Sequence, residues 1–204
     1  MNKKHEIVRK QKKRVDRRIQ RTRQLLREAL TSLILEKGYE ATTVQDILDR
    51  ANIGRSTFYT HFRDKDELLV SGFAQFQEMV EEFDDQHRHQ SENPVQQYEP
   101  ALFFFHHAAQ HHRLYKSMIG NEIMQNYLYK FISRVAAGHI KELTRAVKKT
   151  PVPPPLVVHF LVSSFIATLT WWINYDMPCS PEEIFEMYHR LTLPGISAGL
   201  GKGK

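Results

Sequence analysis

A single cysteine, Cys179, stands in 204 residues, so the chain has no internal disulfide framework and no multi-cysteine zinc or iron–sulfur site. That scarcity fits a reducing cytoplasm, and the charged N-terminus offers no apolar stretch of the kind an export signal needs. Strand-like alternation between turns is scarce too, whereas apolar residues recur at spacings of three and four, which predicts an all-α fold. A phosphate-cradling Gly-Lys-Ser/Thr loop and a dinucleotide fingerprint are also missing, and Cys179 lies beside prolines with no base placed near it. The expectation is therefore a protein that is not an enzyme and needs no cofactor or metal.

Basic residues are sparse in the body of the chain. Of 29 lysines and arginines, twelve fall in the first 27 residues, where only Glu6 and Asp16 oppose them, and the remainder is mildly acidic. A cationic arm on an acidic body suits a polyanionic partner, because Lys and Arg release the counterions condensed on nucleic-acid phosphates. An anionic membrane surface, or no partner at all, is equally compatible with such a run. Long apolar runs are limited to one, residues 156–173, close to the shortest length that spans a bilayer. His159, Ser163, Ser164, Thr168 and Thr170 dilute it and no basic cluster flanks it. A helix buried at a subunit interface, with no membrane partner, is the better reading.

What the chain does hold is a succession of amphipathic segments. Residues 16–37 carry an apolar stripe of Ile19, Leu25, Leu26, Ala29, Leu30, Leu33 and Ile34, and Gly38 closes the helix. Thr43 and Asp46 have capping-box spacing for a short second helix that buries Val44, Ile47, Leu48 and Ala51, and Asn52 suits its left-handed end. A turn through Ile53 and Gly54 leads to a third helix over residues 55–62, with Phe58 and Phe62 one turn apart and inward. Asp64 and Glu67 cap a long fourth helix whose apolar side holds Leu68, Leu69, Phe73, Phe76, Met79, Val80 and Phe83. Residues 84–97 read as helix end and loop, and residues 100–112, 114–119 and 121–149 as further helices. Pro151, Pro153, Pro154 and Pro155 mark a connector, residues 182–193 form an amphipathic last helix, and the glycine-rich end from residue 194 reads as frayed.

Two short helices joined by a tight turn, the second turning polar side chains outward, are the architecture of a helix-turn-helix. With Phe58 and Phe62 inward, Arg55, Ser56, Thr57, Tyr59, Thr60 and His61 are left to meet base edges or phosphates in a major groove wide enough for a helix. Arg55 has the fork for guanine, Thr57 or Thr60 a methyl for thymine, and Tyr59 and His61 donors for phosphate. Lys65, in the first turn of the fourth helix, is expected to clamp phosphate, with Thr43 and Gln45 at the start of the second helix facing the same groove.

The ungapped run from Gly38 to Ile47 (GYEATTVQDI) and from Ile53 to Leu68 (IGRSTFYTHFRDKDEL) resembles the TetR family of transcriptional regulators. The resemblance implies an N-terminal three-helix DNA-binding domain followed by a helical ligand-binding and dimerisation domain. It also implies a homodimer on double-stranded operator DNA, a small-molecule effector, and DNA contacts from Thr43, Gln45, Arg55, Ser56, Thr57, Tyr59, Thr60, His61 and Lys65. The sequence departs from the family's usual pattern at Asn52 and Ser56, where glycine is common, and at Gly54, where a capping serine is common. On this reading the chain comprises a basic arm (1–15), a DNA-binding domain (16–65), an effector and dimer domain (66–193) and a flexible tail (194–204). The same head would also serve a nucleoid-architectural or division-control protein.

Beyond the head, the resemblance is one of layout. It implies a dimer interface built from the last two helices, with Phe165, Trp171, Trp172 and Met187 as anchors. Phe76, Phe104, His107, Met118, Tyr127 and Phe131 are candidates to line an effector cavity, although aromatic stripes of this kind equally form ordinary core. Among His106, His107, His111 and His112, only the pair 107 and 111 has the spacing to share a metal, and a closed site needs about four ligands.

Overall fold

The computed structural model describes residues 3–87, 99–145 and 149–201, and every regular element among them is an α-helix. The chain divides into two compact units, Met1–Phe73 and Ala74–Lys204.

The first unit holds α1 (Lys3–Lys37), α2 (Val44–Ala51), α3 (Arg55–His61) and the opening turns of α4 (Lys65–His87). α1 begins 13 residues before the expected start, so the backbone of the basic arm is a continuation of the helix. Lys, Arg and Gln are good helix formers, and no glycine or proline interrupts residues 1–37. The arm's side chains lie outside the described residues. Leu26, Ala29, Leu30, Leu33 and Ile34 are buried, whereas Leu25 is exposed: one residue before Leu26 on a helix, it faces about 100° away. Gly38 ends α1 at φ +83°, a left-handed conformation that a side chain would strain. Arg50 ties α2 to α1 by bonds to Ser32 (2.6 Å) and Glu36.

The boundary between units falls inside α4, eight residues beyond the expected limit at 65. Leu68, Leu69 and Phe73 are buried and Asp66 accepts a hydrogen bond from the Tyr39 hydroxyl, so the first turns of α4 complete the head. The expected Asp64 cap is present, accepting from Glu67 N at 2.7 Å. The Glu67 carboxylate, however, takes the N–H of Arg63 (2.8 Å), one residue earlier than a reciprocal box would have it.

The second unit contains the rest of α4, α5 (Glu99–Gln110), α6 (His112–Met118), α7 (Glu122–Thr144), α8 (Pro154–Asn174) and α9 (Pro181–Gly199). α8 packs on α6, α7 and α9, and α5 packs on α6 and α9. Their core is a chain of rings: Phe76 meets Phe104, Phe104 meets Phe131 and Phe165, and Phe165 meets Phe105 and Tyr188, with centroids 4.8–5.8 Å apart. Such edge and tilted contacts suit the quadrupoles of aromatic rings. α7 stops at Thr144 rather than residue 149, of which residues 146–148 lie outside the described set, as do residues 88–98 of the expected loop.

Two proline readings change. Pro154 and Pro155 open α8 instead of merely separating helices, because the first helical positions need no N–H. α9 runs through Pro194 to Gly199, so residues 194–201 are not a frayed tail. Ile196 and Leu200 are buried, and the Gly199 carbonyl accepts from Val152 N at 2.9 Å. α8 is long and apolar enough to cross a membrane, yet Val157, Leu161, Val162, Phe165, Leu169, Trp172 and Ile173 are covered by protein.

Candidate nucleic-acid interface

The reading surface rests on two locally determined helices. At the start of α2, the Thr43 hydroxyl accepts from Asp46 N (3.2 Å), and the Asp46 carboxylate accepts from Thr43 N (2.7 Å) and Thr43 Oγ1 (2.6 Å). Lys37 adds an ion pair at 2.8 Å. The Lys37 ammonium first, and then the Thr43 donors, hold the Asp46 carboxyl well below the usual carboxylate range. The helix ends at Asn52, whose φ of 52° and ψ of 50° are the left-handed conformation expected of it. Gly54 then opens α3 with no side-chain cap.

Phe58 and Phe62 are 0% and 2% exposed, and their rings lie 6.0 Å apart beneath α3. That anchoring turns the rest of the helix outward: Arg55, Ser56, Thr57 and Thr60 are exposed, and Tyr59 is 51% exposed with its ring edge-on to Phe58. His61 is half-buried, its ring 6.4 Å from that of Phe62. The Thr60 hydroxyl donates to the Ser56 carbonyl (2.9 Å), which leaves its methyl to face outward. Thr43 and Gln45 are exposed, and Gln45 joins the two helices by accepting from Arg55 Nη2 at 2.8 Å. Seven of the nine expected contact residues are thus exposed on α2 and α3 or at their caps, and His61 is half-buried.

Lys65 differs. Its ammonium donates to the carbonyls of Tyr39 and Thr42, each at 3.0 Å, and lies 4.2 Å from the centre of the Tyr39 ring. An ammonium has three protons, so the expected phosphate clamp is largely consumed in bracing the turn between α1 and α2. Tyr39, which the sequence reading passed over, is buried, and its burial and its bond to Asp66 push its hydroxyl pKa upward.

Residues 26–71 match the model of bacterial regulatory proteins of the tetR family, and residues 97–193 match a transcriptional-regulator C-terminal region. The chain belongs to the TetR family. It is a helix-turn-helix transcriptional regulator, not an enzyme. It is 44% identical over 62 residues to the HTH-type regulator YxbF of Bacillus subtilis, covering 30% of this chain and 16% of that one. It is 24% identical over 191 residues to the repressor KstR2 of Mycobacterium tuberculosis, covering 84% and 91% of the two chains. Among solved structures, a TetR-family regulator from Syntrophomonas wolfei shares the fold at a TM-score of 0.72 and 19% identity, over 87% of this chain and 95% of that one. Thermus thermophilus FadR in complex with lauroyl-CoA shares it at 0.65 and 18%, over 85% and 94%.

In this TetR-family chain the six candidate cavity residues take different places in the second unit. Phe76, Phe104 and Phe131 belong to the ring core, Met118 is buried in α6, and Tyr127 donates to Gln77 (2.8 Å). His107 stacks on Phe76 (4.0 Å) and bonds the Tyr115 hydroxyl through Nδ1 (2.9 Å). Burial, with a smaller contribution from His111, lowers the His107 pKa to about 4. A cavity of about 10 Å³, lined by Ala101, Phe104, Ile132, Val135, Leu161 and Phe165 among others, has room for about one water. The histidine run disperses: His106 pairs with Glu182 (3.1 Å), His112 faces Asp176 (3.8 Å), and the His107 and His111 rings are 4.5 Å apart. No group of three or more potential metal ligands occurs among the described residues.

The four expected dimer anchors separate into two pairs. Phe165 and Trp172, two turns apart, are 2% and 1% exposed and belong to the chain's own core, so they are not anchors for a partner. Trp171 and Met187 are 46% and 48% exposed. The sequence reading missed further exposed apolar residues there, Leu156 and Phe160 on α8, Tyr175 at its C-terminal cap and Leu191 on α9. The four-residue spacing within the pairs Leu156 and Phe160, Trp171 and Tyr175, and Met187 and Leu191 was the available signal.

Proposed function

We propose that the protein is a sequence-specific repressor that binds an inverted-repeat operator as a homodimer and leaves it on binding a small ligand in its second unit. The observation that carries the reading is the sidedness of α3: Phe58 and Phe62 hold it down while Arg55, Ser56, Thr57, Tyr59 and Thr60 face outward. A helix so presented fits the major groove of B-form DNA. KstR2, a repressor alignable over most of the chain, supports repression.

The exposed apolar face of α8 and α9, with Trp171, Tyr175, Met187 and Leu191, supports pairing through these helices, since soluble monomers rarely leave so much contiguous apolar surface open. A two-fold dimer presents two α3 helices and so asks for a two-fold operator. FadR's complex with lauroyl-CoA supports an effector within the second unit. The apolar lining of the cavity among α5, α7 and α8 favours a ligand with a hydrocarbon portion. Cytoplasmic residence follows from the DNA partner.

Selection of bound sequences from a random duplex pool tests the reading. The expected result is an inverted repeat for the wild type and no enrichment for the Thr57→Ala/Tyr59→Ala variant, whose dimer mass persists in sedimentation. Dispersed binding without a shared motif would instead favour an architectural role, and an asymmetric motif would overturn the dimeric operator.

A further inference from the structure

Asp49 took no part in the sequence reading of the interface, yet it ends a hydrogen-bonded chain that begins on the reading helix. Arg55 Nη2 donates to Gln45 Oε1 at 2.8 Å, and Gln45 Nε2 donates to Asp49 Oδ1 at 2.8 Å. Gln45 and Asp49 are one turn apart on the exposed side of α2, and Arg55 is the first residue of α3. The chain therefore crosses the turn between the two helices by side chains alone.

The chemistry of the three groups gives this chain a direction. A carboxylate accepts only, a guanidinium donates only, and an amide does one at each end. With the Asp49 carboxylate on one side, the Gln45 NH₂ must face it, and the Gln45 oxygen is then presented to Arg55. The flipped amide would set oxygen against carboxylate and N–H against guanidinium. Arg55 spends one N–H on Gln45, and the opposite edge of its planar fork stays free for the paired acceptors of guanine. Arg side chains carry much rotamer entropy, so a fork held in one plane before binding discriminates between bases better than a free one.

We propose that Asp49 is a specificity-determining positioning residue: through Gln45 it fixes the plane of the Arg55 guanidinium for base reading without itself touching DNA. The inference rests on the DNA-reading function proposed above. It carries an unusual signature. The Asp49 carboxylate also repels the phosphate backbone, so its removal raises affinity for non-specific DNA while lowering discrimination at one base pair. A residue that only supports the fold would lower both together.

The test is sequence selection from a random duplex pool by the full chain and by Arg55→Ala, Asp49→Ala and Asp49→Asn, with melting curves to confirm equal folding. Arg55→Ala is expected to lose about tenfold preference at one base pair of each half-site, the scale of a paired guanine contact. Asp49→Ala is expected to lose about three- to fivefold at that same base pair, as an indirect effect of smaller size. Asp49→Asn removes the same charge but keeps an acceptor, so it retains the preference to within about twofold, while both Asp49 variants bind non-specific DNA more tightly. An Asp49→Ala profile identical to wild type overturns the relay alone, as does an Asn variant as indiscriminate as the Ala variant. If Arg55→Ala changes no base preference, the relay fails together with Arg55 as a base reader. If the wild type enriches no motif, it is the DNA reading itself that fails.

Discussion

The Lys65 ammonium sits 4.2 Å from the centre of the Tyr39 ring and 3.0 Å from the Tyr39 carbonyl, joining the start of α4 to the turn that precedes α2. Charge-assisted bonds of this kind are worth about 1.5–3 kcal/mol when formed away from water, and the half-buried position of Lys65 places this one toward the lower end. Lys65→Met keeps the stem over the ring and removes the bonds. Its expected outcome is a melting temperature lowered by several degrees, together with DNA binding weakened on all sequences alike. A pure phosphate clamp would instead leave melting unchanged and reduce the salt slope of binding by about one.

The two tryptophans separate folding from association. Trp172→Ala opens a cavity in the ring core and orphans the Cys179 carbonyl that the indole serves at 3.0 Å, so a loss of about 3–5 kcal/mol is expected in denaturant unfolding. Trp171→Glu combined with Leu191→Glu charges the outer face of α8 and α9 instead. Sedimentation should then give the mass of one chain, with the helical circular dichroism of the wild type. An unchanged dimer would locate the interface elsewhere.

The second unit should lose stability in mild acid. His107 has its pKa lowered from 6.5 to about 4 by burial, so the unfolded chain takes up its proton more readily than the folded one. The stabilisation is complete above pH 6.5, declines as the pH falls toward 4, and is constant below that. His189, also lowered by burial, acts in the same direction. His107→Gln cannot titrate, and its melting temperature between pH 7 and 4 is expected to fall less steeply than the wild type's. Parallel curves would remove His107 from the account.

Deleting residues 1–14 removes seven lysines and arginines and one acidic side chain. Fewer phosphates are then neutralised, and the log–log dependence of affinity on salt should flatten by several units at unchanged base preference. An unaltered slope would make the arm a bystander in binding.

Most of the head was legible because its signals are local. Thr43 with Asp46, Asn52, and the pair Phe58 and Phe62 each act within one helical turn, and each occupies the place that spacing indicated. The errors are those of partners distant in sequence. Nothing near Lys65 announces the carbonyls of residues 39 and 42, and the Asp49–Gln45–Arg55 chain needs the turn closed before it exists. In the second unit, composition marked aromatic residues but could not say which face each would occupy, so Phe165 and Trp172 were grouped with Trp171 and Met187. The end of α9 misled for another reason: glycine and proline near residue 195 suggest fraying, and only the packing of Ile196 and Leu200 overrides them.

Trp171 and Trp172 are the only tryptophans of the chain, adjacent in sequence and opposite in environment. They amount to a built-in optical pair. The enclosed indole of Trp172 emits at shorter wavelength and reports whether the core is intact, while the half-open indole of Trp171 emits further to the red and responds to whatever comes to lie against α8. Intrinsic fluorescence, with iodide to quench only the accessible ring, therefore follows subunit pairing and unfolding in one unlabelled sample.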